Sequence, residues 1–146
     1  MFNSILVPFD GSNGAEQALQ KAVNLSIICG NVPLTLLTVY RHHSVLEGSF
    51  AVVRPDETDS LEDVMRSHAK AVAEQGKLSA VEAGCTNIRA LIKSGPTART
   101  IVAVAQEHAC DLIVIGSRGL GSLEGYLLGS VSHKVTSLAD CPVLVV

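Results

Sequence analysis

Residues 111–132 read DLIVIGSRGLGSLEGYLLGSVS, and the order of residue types in them decides the fold. Leu112 to Ile115 is a purely apolar run, short enough for a strand buried on both faces. Five glycines follow within the fifteen residues from Gly116 to Ser130. Ser130 then opens a helix in which Val131, Val135 and Leu138 share one face. A buried strand that passes through a glycine-rich loop into a helix is the repeating unit of an α/β sheet. Glycines let a backbone take positive φ and approach a ligand closely. The N–H groups of Ser130, Val131 and Ser132 lie at a helix N-terminus, where unpaired donors and the helix dipole attract anions. The hydroxyls of Ser130 and Ser132 add donors or reach a metal, so a phosphate group is the natural guest. A glycine-rich loop alone matches by chance. This one starts at the carboxyl end of a strand, where open α/β sheets place their ligands.

Neither common phosphate fingerprint is present. There is no G-x-x-x-x-G-K-[ST], and Gly116 with Gly119 does not make G-x-G-x-x-G. Arg118 is the nearest cation to balance phosphate charge; a divalent metal bridging the phosphates is the alternative.

Outward from this segment, the chain alternates strand and helix patterns. Residues 4–9 form an apolar run broken by Pro8 and ended by Asp10-Gly11-Ser12, a first buried strand delivering a loop. Ser12 is placed to cap a helix whose Ala15, Ala18, Leu19, Ala22 and Val23 recur at helical spacing, with Gly30 as its stop. Leu34 to Tyr40 reads as a second strand. From Arg41 to Asp59 no clean period appears, which predicts a long surface connection. Ser60 with Asp63 resembles a capping box. Leu61, Val64, Met65, His68 and Val72 predict the apolar stripe of a long helix ending near Gly84. Residues 88–92 read as a third strand. The Ser94-Gly95-Pro96-Thr97 turn launches a helix over residues 98–108 with Ile101, Val102 and Ala105 inward. Asp140-Cys141-Pro142 stops the last helix, and Val143 to Val146 makes the fifth strand. Five strands against four helices predict a single α/β domain over residues 1–146 with a parallel sheet covered on both faces.

Composition excludes several functions. The chain has 146 residues, 47% of them apolar, and a net charge of −3. Mean hydropathy is positive, yet no apolar run approaches the ~20 residues of a membrane span. No basic segment with an apolar h-region opens the chain, so a cytoplasmic protein is expected. Lys and Arg are scattered, which gives nucleic-acid binding no support. Cys29, Cys85, Cys110 and Cys141 have no metal-ligand spacing and read as reduced packing residues. His42 and His43 adjoin a strand end, but neighbours on an extended chain point apart, so one ion rarely takes both. His68 is expected half-buried, and His108 and His133 near helix ends. Nothing resembles a nucleophile elbow, and Asp10 is the one general-base candidate.

The pattern G-x-x-G-x9-G-[ST], here Gly116, Gly119, Gly129 and Ser130, resembles the ATP motif of the universal stress protein family. The likeness extends over the whole chain: ILVPFDGS near the start, Ala18-Leu19, the SGP turn at Ser94 to Pro96, DLIVIGSRG, and the closing CPVLVV. It implies an adenine nucleotide alpha hydrolase-like fold with a parallel sheet ordered 3-2-1-4-5. The switch point of that order falls between the strands ending at Asp10 and Gly116. It also implies roles. Asp10 matches the aspartate near ribose and phosphates, Pro8 and Phe9 the backbone beside the adenine, and Val39 the main chain that reads its edge. Gly116, Ser117, Arg118 and Gly119 pass near ribose and phosphates, and Gly129, Ser130, Val131 and Ser132 hold the phosphates. The expected ligand is ATP, or AMP or ADP, with Mg2+. Family members that do not bind ATP lack these glycines.

The terminal run from Val143 to Val146 would form a sheet edge, an association hazard unless covered. A second copy pairing there would cover it, and the resemblance likewise implies a homodimer. The reading is therefore a homodimeric ATP-binding stress or signalling protein. Its rivals are a slow ATPase or phosphotransferase using the same crevice, and a nucleotide-free interaction module.

Overall fold

Along each strand, side chains alternate between the two faces of the sheet, and in this chain both faces are covered. The computed structural model describes residues 1–41, 60–118 and 128–146. Its strands are β1 (Ile5–Pro8), β2 (Leu34–Tyr40), β3 (Ile88–Ser94), β4 (Leu112–Ile115) and β5 (Val143–Val145). Its helices are α1 (Asn13–Ile28), α2 (Leu61–Glu82), α3 (Thr97–Glu107) and α4 (Ser130–Leu138). All strand pairs are parallel and the order is β3-β2-β1-β4-β5, as the resemblance implied. Ile5, Val7, Leu34, Leu36, Leu112 and Val114 face α1 and α2 in one core; Leu6, Leu37, Ile113 and Ile115 face α3 and α4 in the other.

Local chemistry sets the helix ends. The Ser12 hydroxyl accepts from the Ala15 amide at 3.2 Å, and Ser60 and Asp63 close a reciprocal capping box. Gly30 and Gly84 follow α1 and α2 with φ of +96° and +101°, the left-handed conformation that glycine adopts freely.

Four expectations need correction. The buried stripe of α2 is Ala69, Ala73, Gly76 and Ala80, one position on from the expected stripe, while Val64 and His68 are exposed. Small residues let this helix lie close to the sheet, and larger apolar residues are left at its flanks. In α3, Val104 is fully buried and Val102 only half-buried. Leu138 in α4 is 48% exposed rather than inward. Strand β3 also runs two residues beyond the expected Ile92, because Val39 and Tyr40 of β2 pair with Lys93 and Ser94. Residues 42–59, including His42 and His43, lie outside the described residues.

Candidate functional site

Strand β1 ends where its two neighbours leave in different directions. Phe9 continues the ladder, its amide donating to the Leu37 carbonyl at 2.8 Å, and its own carbonyl accepts from the buried Thr38 hydroxyl at 2.9 Å. Asp10 follows, its carboxylate accepting from the Ser12 amide at 2.9 Å. On the other side, β4 delivers Gly116 against the first turn of α1. A Cβ on Gly116 would stand 2.7 Å from the carbonyl carbon and oxygen of Gly14. This backbone-on-backbone approach brings the β4 loop beside Asp10.

Ser117 ties the loop together. Its amide donates to the Val146 carbonyl at 2.8 Å, and its carbonyl accepts from the Gly129 amide and from the Ser132 hydroxyl at 2.9 Å. The Ser132 hydroxyl also donates to the Gly129 carbonyl at 3.1 Å. The two ends of the glycine-rich segment are thereby clamped together. The N-cap of α4 is Gly129, with φ −71° and ψ 165° and no side-chain cap. The first amides of α4 consequently have no intrahelical acceptor.

These elements enclose a cleft of about 870 Å³. Pro8, Phe9, Asp10, Val39, Gly116, Arg118, Gly129, Ser130, Val131 and Ser132 all line it, so ten of the sequence-derived site residues converge. Ser117 is not among the lining residues and acts through the clamp just described. Gly119 lies outside the described residues.

Further residues line the cleft that motif reasoning did not single out. Ser12 and Ala15 come from the start of α1, Thr97 and Ile101 from α3, Leu37 from the middle of β2, Arg41 from just past it, Ile115 from the end of β4, Leu128 from just before α4 and Lys134 from α4. His133, expected near a helix end, also lines it. The cationic lining, Arg41, Arg118 and Lys134, faces a single carboxylate among the described residues, Asp10. The signal for Arg41 was its place one residue past β2, beside the switch point; its own residue type says nothing.

The fold, the switch-point cleft and the glycine motif agree with a comparison at the level of whole families. The model of the universal stress protein family matches residues 1–146. The chain belongs to the universal stress protein family. A universal stress protein of Bacillus subtilis, YxiE, is 36% identical over 149 aligned positions, covering 100% of this chain and 99% of that one. Among solved structures, the universal stress protein UspA of Lactobacillus plantarum superposes with a TM-score of 0.79 at 30% identity, over 99% of this chain and 97% of that one. A universal stress protein crystallised in complex with cAMP superposes with a TM-score of 0.74 at 25% identity, over 99% and 97% of the two chains.

Two other features of this family member bear on its surroundings. No described helix is long and apolar enough to cross a membrane. All four cysteines are free, with Cys85 and Cys110 buried and Cys29 and Cys141 half-buried. Burial, then the neighbouring Cys110, pushes the Cys141 thiol up from its ordinary value.

Proposed function

We propose that this universal stress protein binds an adenine nucleotide, ATP or otherwise ADP or AMP, in the switch-point cleft. Nucleotide occupancy then acts as a switch in a cytoplasmic homodimer. The observation that carries the reading is the uncapped N-terminus of α4 opening into a cleft that Asp10, Arg118 and Arg41 also line. Helix N-terminal amides without a side-chain cap among the described residues, a helix dipole and nearby cations together favour a phosphate-bearing ligand. The cAMP held by a homologous protein supports the adenine part.

In this reading, adenine lies beside Pro8 and Phe9 with its edge against the Val39 main chain. Ribose and phosphates pass Asp10 and the segment from Gly116 to Gly119. The amides of Ser130, Val131 and Ser132 hold phosphate oxygens, while the Ser117 carbonyl and the Ser132 hydroxyl tie the end of β4 to the start of α4. Among the described residues no cluster of three or more His, Cys, Asp or Glu side chains forms a metal site. Mg2+ would therefore ride on the phosphates, with Asp10 as the lining carboxylate. A slow hydrolysis would need that same carboxylate as base, so binding is the better-supported role. Dimerisation would pair the β5 edge of two copies, where Leu144 is 40% exposed.

The test is a calorimetric titration with Mg-ATP of wild type, freed of co-purified nucleotide, and of Gly129→Asp. An aspartate suits the extended N-cap geometry and adds roughly a few tenths of a kcal/mol of capping over glycine, while repelling phosphate. Saturable binding that Gly129→Asp loses without a fall in melting temperature is expected. Well-folded wild type that binds no adenine nucleotide would refute the reading. Sedimentation of Leu144→Lys checks the assembly: a monomer is expected where wild type is a dimer.

A further inference from the structure

Among the described residues, the charge around the cleft is lopsided in a way that one phosphate group does not explain. Arg41 comes from just past β2, Arg118 from the loop after β4, and Lys134 from α4. Against them stands Asp10. Helix N-termini favour acidic residues, yet the first turn of α4 carries none. Its fourth and fifth residues are His133 and Lys134 instead. Helical side chains lean toward the N-terminus, and a lysine stem is long enough to carry its ammonium back along the cleft wall. Lys134 is exposed yet lines the cleft. Such a cation works against the helix dipole in the empty protein and with an anion longer than the amides alone can cover.

We propose that Lys134 is a specificity-determining residue that engages the distal phosphates of a nucleoside di- or triphosphate, so that cations from three separate elements read the length of the phosphate chain. This rests on the reading of the cleft as an adenine-nucleotide site. The amides of Ser130 to Ser132 suffice for a single phosphate. Arg118, Arg41 and Lys134 add charge that only a longer chain can meet.

The experiment titrates the full chain with AMP, ADP and ATP, each with EDTA and with Mg2+, for wild type, Lys134→Gln and Lys134→Arg. Lys134→Gln is expected to weaken ATP about two- to fivefold, as for an exposed charge pair, and to leave AMP unchanged. It should also flatten the salt dependence of ATP binding. Lys134→Arg should restore both. Equal weakening of AMP and ATP, or no weakening of either, would overturn the assignment while leaving the nucleotide site standing. Wild type that binds none of the three nucleotides would instead overturn the reading of the site, and this assignment with it.

Discussion

Gly14 is the position where a single methyl group tests how the loop is held. It is the second residue of α1, and a Cβ there would overlap the Arg118 carbonyl oxygen, with the Arg118 carbonyl carbon 3.6 Å away. Reciprocally, a Cβ on Gly116 would lie 2.7 Å from Gly14 and 3.2 Å from the Ala15 nitrogen. Every one of these contacts is backbone, so no rotamer change relieves them. In an unobstructed helix, Gly→Ala stabilises by about 0.5–1 kcal/mol. Overpacking costs typically about 1–3 kcal/mol, so Gly14→Ala is expected to lose roughly 1–2 kcal/mol. At this chain length that is a fall of roughly 3–8 °C in Tm. The overlap has a second outlet, in which the segment carrying Arg118 lifts from α1. Tm is then spared and ATP affinity falls instead, tenfold for each ~1.4 kcal/mol. Thermal unfolding and ATP titration of one preparation read both outlets. Gly14→Ala combined with Gly116→Ala should cost less than the sum of the two, because both strike one contact. A Gly14→Ala protein with a raised Tm and unchanged ATP affinity would refute the backbone contact and the account of the loop built on it.

Gly76→Ala should destabilise by about 1–2 kcal/mol in urea unfolding despite a gain in helix propensity. Its Cβ would meet Leu36 Cδ1 at 2.6 Å and Phe9 Cε1 at 2.7 Å, both in buried side chains; a more stable variant would contradict this packing. Asp111 accepts from the Asn3 amide at 2.9 and 3.0 Å and from the Ser4 amide at 3.1 Å. Burial opposes its charge, but the Ser4 and Asn3 amides outweigh burial and hold it below the usual carboxylate range. A lowered folded-state value stabilises above the unfolded value, about 3.9, and that stability is lost as pH falls through the folded value. Wild type should thus exceed Asp111→Asn in stability at pH 7, with the gap closing below about pH 4; a gap that widens on acidification would contradict it. The raised Cys141 thiol should be alkylated at pH 7.5 more slowly than a cysteine in an unfolded peptide, as mass spectrometry of timed samples will show.

Periodicity and capping carried the elements because they are local. Strand β4 runs Leu112–Ile115 and β2 Leu34–Tyr40, the bounds expected from apolar runs and flanking turns. Ser12 and Ser60 cap the helices expected of them. The buried stripe of α2 departs from its apolar pattern because close approach to a sheet rewards small side chains, Ala69 over Val64. The cleft was legible where residues stand in the glycine motif or beside it. Arg41, Ile101 and Lys134 line it for a different reason: the strand order brings their elements to one edge. That reason is tertiary and leaves no mark at the positions themselves.

The dependence runs further, since contacts outside the cleft set the residues inside it. Gly76 leaves the space that Phe9 fills, and the Phe9 carbonyl is fixed by the Thr38 hydroxyl, so the start of Asp10 is placed by α2 and β2 together. On the opposite wall, Gly14 admits Gly116 and Arg118 against α1. Neither Gly14 nor Gly76 lines the cleft, yet each controls a wall of it. Filling either position is expected to shift one wall relative to the other, because the added Cβ would overlap its neighbours. A ligand bridging both walls loses contacts that way without losing a single group that touches it. Substitutions on the buried faces of α1 and α2 are therefore expected to alter nucleotide affinity, and the same mechanics run in reverse. In the proposed reading, a nucleotide bridging Asp10 and Arg118 would press on α1 and α2, the helices on which Ile27, Ile28, Leu78 and Val81 stand exposed.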